Sequence, residues 1–169
     1  MNETQFWQII EDTKSKAFGE PDAQVDLVGL KLRELSPNHI QDFNQLFHDR
    51  LDEAYSWTLW AAAYLINGGC SDDGFEYFRC WLIGQGRKVF EAAVKEPDSL
   101  SAIVKKHSDP CENEGLLYVA IEALDEVAGQ EMQWTRKRAL GEPKGENWDF
   151  DDVAETSRRL PQLFKMFGA

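Results

Sequence analysis

The chain of 169 residues carries 30 acidic and 18 basic side chains, which give a formal net charge of -12 at pH 7. Its length suits one domain with one hydrophobic core, and its aromatic content of 12% excludes a disordered chain. Because this charge repels phosphate groups and anionic lipids, binding to nucleic acid or to a membrane surface is disfavoured.

Two helices are predicted at the start of the chain. Asn2 can cap the first helix, and the Gln5 side chain can return a hydrogen bond to the Asn2 backbone. Gly19 ends this helix, and Pro21 suits the first turn of the next one. Apolar residues then recur every three or four positions as far as Leu35, which is typical of a helix that buries one face.

A long helical pattern follows from residue 37 to residue 66. Since so long a helix is unusual in a globular protein, we expect a bend or break near residues 53–57. Residues 61–63 are all Ala, so another helix can approach them closely. We therefore place this segment at the centre of a bundle.

A tight reversal is predicted at residues 67–69, Asn-Gly-Gly, because these residue types tolerate a positive φ angle. Ser71 or Asp72 can cap the helix that follows. The glycines at positions 84 and 86 predict a break, and a further helix is expected to stop at Pro97.

The pattern after Pro97 predicts a short helix capped by Asp98 or Ser99, a loop at residues 107–113 and a clear helix at residues 114–128. Beyond residue 130 the helical pattern weakens.

The remaining segment, residues 134–149, is predicted to be an extended arm held by Trp134 and Trp148. Helices are expected at residues 153–160 and from Pro161 onward.

These patterns together predict an all-α protein, because no stretch alternates at period two for long enough to form a sheet. We expect a single-domain helical bundle of six to eight helices with an irregular C-terminal arm. The core domain is predicted to span residues 1–129, with residues 130–169 forming an arm and short helices that pack on it.

A set of aromatic and glycine motifs resembles a known bacterial family. The motifs are Phe-Trp at residues 6–7, Trp-Thr-Leu-Trp at 57–60, Asn-Gly-Gly-Cys-Ser-Asp-Asp-Gly-Phe at 67–75, Phe-Arg at 78–79 and Trp-Leu-Ile at 81–83. They resemble the family catalogued as domain of unknown function 4240, over the chain as far as about residue 127. The resemblance implies a helical, single-domain protein of the bacterial cytoplasm, with no activity attached. It also implies that Asp72, Asp73, Arg79 and Trp81 belong to a family motif.

One candidate site lies on the helix after the reversal. Asp72, Glu76 and Arg79 are spaced so that they share one helical face and can interact directly. Arg79 could bind an anion while the carboxylates hold it, as in a small-anion sensor or a hydrolytic enzyme centred on these residues and Asp73. We favour the simpler interpretation, a structural ion-pair network, since such networks are common.

Metal sites are disfavoured by residue spacing. His48 lies near carboxylates on the preceding helix, but the Glu-x-x-His pair of di-iron bundles is absent. Cys70, Cys80, Cys111 and His107 lack the Cys-x-x-Cys spacing of zinc sites, so free thiols are expected. We predict no cofactor and no metal.

A nucleophilic role is considered for Cys70, because a helix start can stabilise its thiolate. A base such as His39, His48 or His107 would have to approach it through folding.

The acidic side chains are unevenly distributed. Residues 112–131 hold six carboxylates and no Lys or Arg, and residues 146–155 hold five more carboxylates. A basic protein is the natural complement of such surfaces, although a solvated face is the simplest explanation. A small basic and aromatic patch at residues 134–138 is expected to pair within the protein.

The cellular compartment is predicted from the cysteines and from the N-terminal residues. The chain has three cysteines, an odd number, and its first residues show no secretory signal. Its longest apolar run, Leu-Trp-Ala-Ala-Ala-Tyr-Leu-Ile at residues 59–66, is too short to span a bilayer. We expect a reducing, cytoplasmic location.

Three functions therefore stay open. The first is a non-catalytic acidic domain that binds a basic protein, with an immunity-type inhibitor of a bacterial toxin as one form. The second is the anion-binding or enzymatic site described above. The third is a structural adaptor or homodimer with an exposed aromatic patch from Trp134, Trp148 or Phe167; the chain would otherwise be a monomer. The predicted binding residues are Asp72, Asp73, Glu76, Arg79, Trp81, Glu122, Asp125 and Glu126.

Overall fold

The computed structural model describes residues 1–106, 109–133 and 141–168, and within these ranges it contains nine α-helices, one 3-10 helix and no strand. The helices are α1 (Glu3–Ala17), α2 (Pro21–Arg33), α3 (Pro37–Glu53), α4 (Trp57–Asn67), α5 (Asp72–Gly84), α6 (Arg87–Lys95), the 3-10 helix (Pro97–Ala102), α7 (Gly115–Ala128), α8 (Val153–Arg159) and α9 (Pro161–Phe167).

The predicted all-α class is confirmed. The helices outnumber the six to eight expected because the 3-10 helix, α8 and α9 are short elements of six or seven residues each.

Local capping sets the ends of the early helices. Asn2 and Gln5 form the predicted capping box, with each side chain accepting a hydrogen bond of 2.9 Å from the backbone N–H of the other. The long pattern breaks as expected, since α3 ends at Glu53 and the Ser56 side chain accepts a hydrogen bond from the backbone N–H of Leu59 to cap α4.

The glycine reversal after α4 is also confirmed. Gly68 and Gly69 have φ angles of 70° and 127°, and the Gly69 N–H donates to the carbonyl of Tyr64 at 2.8 Å. The Trp60 indole donates to the carbonyl of Cys70 at 3.0 Å, which fastens the reversal to α4. These contacts direct the chain into α5, whose first turn Ser71 caps through Gly74.

The core lies between two groups of helices. In one group α7 packs against α2, α3 and α5, and in the other α4 packs against α5, α9 and the 3-10 helix. The side chains of Ala61, Ala62 and Ala63 are at most 1% exposed, as expected for a segment that other elements approach closely.

The C-terminal segment adds side chains to this core. Leu160 and Leu163 are both fully buried among the core residues. The Asp98 carboxylate accepts hydrogen bonds from the backbone N–H groups of Gln162 and Leu163 at 2.9–3.0 Å, which attaches the start of α9 to the 3-10 helix. The boundary at residue 129 between a core and an arm stays a prediction.

A short extended stretch of this segment also closes the break between α3 and α4. The backbones of Tyr55 and Trp57 form two hydrogen bonds of 2.9 and 3.0 Å with the backbone of Lys144. The Lys144 ammonium group donates to the carbonyls of Asp52 and Glu53 at 3.4 and 3.2 Å, which puts its positive charge at the C-terminal end of α3.

Trp148 attaches the arm to α8. Its indole donates to Thr156 at 3.1 Å, and the Arg159 guanidinium lies 4.4 Å from the centre of its ring. The second predicted anchor, Trp134, lies outside the described residues. In the described part of the chain, no helix has both the length and the apolar character that a membrane span requires.

Candidate functional site

Arg79, the central residue of the predicted anion site, lies inside the protein. Its side chain is 2% exposed, and the guanidinium carbon lies 4.8 Å from the ring centres of both Tyr55 and Phe75. Its Nη1 donates to the carbonyl of Leu51 at 2.8 Å, and its Nε donates to the carbonyl of Phe75 at 3.3 Å. Arg79 therefore joins α5 to the last turn of α3.

This position favours the structural interpretation of Arg79. The side chain supplies a positive charge and a donor to the C-terminal end of α3, where both are stabilising. The rings of Tyr55 and Phe75 lie within cation–π distance of the guanidinium, and its 2% exposure leaves little room for an anion from solvent.

Aromatic residues of α4 and α5 form a series of ring contacts next to Arg79. Trp57 and Trp60 stack at 5.4 Å between ring centres, and Trp60 and Phe75 stack at 4.9 Å. Phe78 and Trp81 continue the contact at 5.4 Å. Packing of α4 against α5 is thus a sufficient physical reason for these motif positions.

The carboxylates predicted beside Arg79 have different surroundings. Asp72 and Asp73 are exposed in the first turn of α5, where the helix dipole favours negative charge, and Glu76 is half-buried. Glu112 reaches the same turn, since its Oε1 lies 3.6 Å from the place that a Cβ on Gly74 would take. The structure therefore puts Asp72 and Asp73 at the surface and Arg79 in the interior.

The surroundings of Cys70 oppose a nucleophilic role. Burial and the charge of Glu112 raise the pKa of the Cys70 thiol to about 12, against an opposite effect of Arg79. Burial and Glu112 also raise the pKa of Cys111, to about 11. His107, one candidate base, lies outside the described residues. Among the described residues, no three His, Cys, Asp or Glu side chains are grouped to hold a metal ion.

We expect Cys70 to react with iodoacetamide roughly 10- to 100-fold more slowly than N-acetylcysteine at pH 8. The raised pKa keeps the thiol protonated, and the greater nucleophilicity of a more basic thiolate recovers only part of the rate. Mass spectrometry of each cysteine against time measures this. In denaturant all three cysteines should react at similar rates, and a native Cys70 that reacts as fast as N-acetylcysteine would restore the nucleophile hypothesis.

The carboxylates of α7 are on the outside. Glu122 and Asp125 are exposed and form no salt bridge with a described residue, while Glu126 makes a two-point ion pair with Arg33 of α2, including an Nη2–Oε1 contact of 2.9 Å. The hydrogen bonds from Arg33 lower the pKa of the Glu126 carboxyl. Tyr118, one turn before Glu122, is 44% exposed.

The first turn of α7 connects the exposed carboxylates of that helix to α5. A hydrogen bond to Glu114, together with partial burial and the charges of Glu114 and Asp73, raises the pKa of Tyr77 to about 12, and Tyr118 adds to the effect. The two helices therefore form one surface, which we call the acidic face. It consists of Asp73, Tyr77, Glu114, Tyr118, Glu122 and Asp125.

The second group of carboxylates, at residues 146–155, is partly neutralised within the protein. Arg159 contacts Glu146 at 2.7 Å and Glu155 at 2.9 Å, and Arg158 contacts Glu155 at 2.6 Å. Asp152 accepts hydrogen bonds from the first turn of α8. The basic patch at residues 134–138 lies outside the described residues.

Of the three residues predicted to form an exposed aromatic patch, the structure describes two. Trp148 and Phe167 are half-buried against the core, and Trp134 is outside the described residues. The most exposed large apolar side chain among the described residues is Phe18, at 91%. Homodimer formation stays a prediction.

Trp81 borders a cavity that the sequence did not predict. The cavity lies between the end of α1, the start of α2 and the end of α5, and Lys14, Gln24 and Asn113 contribute its polar groups. These residues come from separate segments of the chain, so no spacing pattern in the sequence could connect them.

Fold and surface together define an all-α, single-domain protein with an acidic face. The chain belongs to the family described as protein of unknown function (DUF4240), whose model matches residues 1–129. No curated protein and no solved structure matches the chain.

Proposed function

We propose that this chain is a non-catalytic binding protein whose acidic face docks a basic protein partner. The observation that carries the proposal is the exposure of Glu122 and Asp125 without a salt bridge to any described residue, on a segment with no Lys or Arg from residue 107 to residue 135. Exposed carboxylates attract a positively charged surface and increase its rate of association.

The tyrosines support a protein partner in particular. Tyr118 is 44% exposed in the middle of the acidic face, and Tyr77 lies beside it. Tyrosine is enriched in protein interfaces because it offers a large, rigid contact area with one polar group. The 14 residues of α7 give a surface about 21 Å long, which matches the scale of an interface of about 800 Å² per partner.

The test uses charge-neutralising variants of the purified chain. The double variant Glu122→Gln/Asp125→Asn should bind the partner about tenfold more weakly than the wild type, because two charges of the face are removed. The partner is isolated from a lysate of the source organism on immobilised wild-type chain, identified, and titrated against each variant by calorimetry at low and high salt.

The matched control is Asp12→Asn/Glu96→Gln, which changes the net charge equally at exposed positions outside the acidic face. It should keep wild-type affinity. Equal losses in the two variants, or affinity that does not respond to salt, would contradict docking through the acidic face.

A toxin inhibitor is a narrower form of this proposal. A toxin that acts on nucleic acid often presents a basic surface, and an acidic cytoplasmic inhibitor would cover it. The identity of the captured partner decides this point, and a self-captured chain would favour the homodimer instead.

A further inference from the structure

A cavity of about 160 Å³ lies where α1, α2 and α5 meet, apart from the acidic face. Its lining includes Lys14, Ala17, Pro21, Gln24, Trp81 and Asn113. An apolar cavity of about 150 Å³ is known to hold benzene, so this space admits a ligand of about that size.

Lys14 is the cation of the cavity. Its ammonium group donates to the carbonyl of Gln85 at 2.7 Å, and burial lowers its pKa, against an opposite effect of Glu11. An ammonium group has three N–H donors, so this bond leaves two donors for other acceptors. Lys14 forms no salt bridge with a described residue, although the chain has 30 carboxylates.

The surrounding side chains are already fixed. Gln24 is 5% exposed, and its amide nitrogen donates to the carbonyls of Gly84 at 2.9 Å and Ile10 at 3.4 Å. Asn113 is 6% exposed, and its side-chain nitrogen donates to the carbonyl of Pro21 at 3.4 Å. A preformed cavity of this kind loses little entropy when a ligand binds.

The remaining lining includes apolar side chains and one carboxylate. Trp81, Pro21 and Ala17 provide hydrocarbon and ring surface, while the Glu20 carboxylate is exposed at the edge. A single negative charge can reach Lys14, but a second charge on the same ligand would be repelled by Glu20 and by the net charge of -12.

We propose that this cavity binds a small monocarboxylate, with the carboxylate on the Lys14 ammonium group and the hydrocarbon part against Trp81. The ion pair would offset the desolvation of Lys14, which nothing else in the described chain neutralises by direct contact. The inference is independent of the proposed protein docking, because its residues are not part of the acidic face.

The test titrates propionate and benzoate into the full chain at constant ionic strength. Saturation-transfer NMR and the melting temperature of the protein measure binding. Both ligands should give saturable binding at millimolar concentration or below. The neutral analogues propionamide and benzamide should bind at least about tenfold more weakly, since a charge-assisted hydrogen bond is lost.

The variant Lys14→Gln should also bind benzoate at least about tenfold more weakly, while Lys16→Gln, an equal charge change at an exposed position of the same helix, should bind as the wild type does. Near-ultraviolet circular dichroism establishes that both variants are folded. Absence of saturable binding to the wild type, equal binding of acid and amide, or equal binding by the two variants would overturn the proposal.

Discussion

The variant Arg79→Met should lower the free energy of unfolding by about 2–4 kcal/mol. Methionine keeps most of the side-chain volume, so the expected loss comes from polar contacts. The carbonyl of Leu51 would lose its 2.8 Å hydrogen bond, and the rings of Tyr55 and Phe75 would each lose the cation that lies 4.8 Å from the ring centre. Urea unfolding followed by tryptophan fluorescence measures the change.

The matched control is Arg87→Met, the same substitution at an exposed arginine that pairs with Glu91. Surface ion pairs contribute little, so its effect should stay below about 1 kcal/mol. If Arg79→Met costs no more than this control, and if phosphate stabilises the wild type but not the variant, Arg79 serves an anion and the structural interpretation is wrong.

The variant Asp98→Ala should lower the free energy of unfolding by about 2–3 kcal/mol. Asp98 is 8% exposed and accepts backbone hydrogen bonds from Gln162 and Leu163, while α9 has no cap from its own N-terminal side chain. The Leu163 N–H would be left without this acceptor in a buried position. Hydrogen exchange of the α9 amides should accelerate more than that of α2.

The comparison is Asp152→Ala, which removes an exposed cap from α8. Water can replace that cap, so we expect a loss of only about 0.5–1 kcal/mol. Unchanged protection of α9 in Asp98→Ala, or a loss no larger than in Asp152→Ala, would show that Asp98 does not hold α9 in place.

The helices could be predicted because their signals are local. The capping box of Asn2, the break before Trp57 and the reversal at Gly68 and Gly69 each depend on residues within a few positions of one another. Such contacts form from neighbouring residues, so a sequence displays them directly.

The site could be predicted only in part, because its contacts are distant in sequence. Asp98 was expected to cap the helix beside it, yet its carboxylate accepts a hydrogen bond from the backbone N–H of Gln162, 64 positions away. The spacing of Asp72, Glu76 and Arg79 correctly suggested one helix, but which side of it faces the interior depends on where α3 ends. Lys14 gave no signal, since its neighbours in the cavity come from α2, α5 and the segment before α7.

The packing of Leu160 and Leu163 bears on how this chain should be expressed in the laboratory. The family model matches the chain as far as residue 129. These two side chains nevertheless lie in the same core as Phe6 and Leu59. Lys144 also donates a hydrogen bond to a carbonyl at the end of α3. A recombinant fragment that ends at residue 129 would expose apolar side chains of α4. An exposed apolar surface of this kind promotes aggregation. The range matched by the family model is therefore shorter than the length of chain that must be expressed to obtain a folded protein.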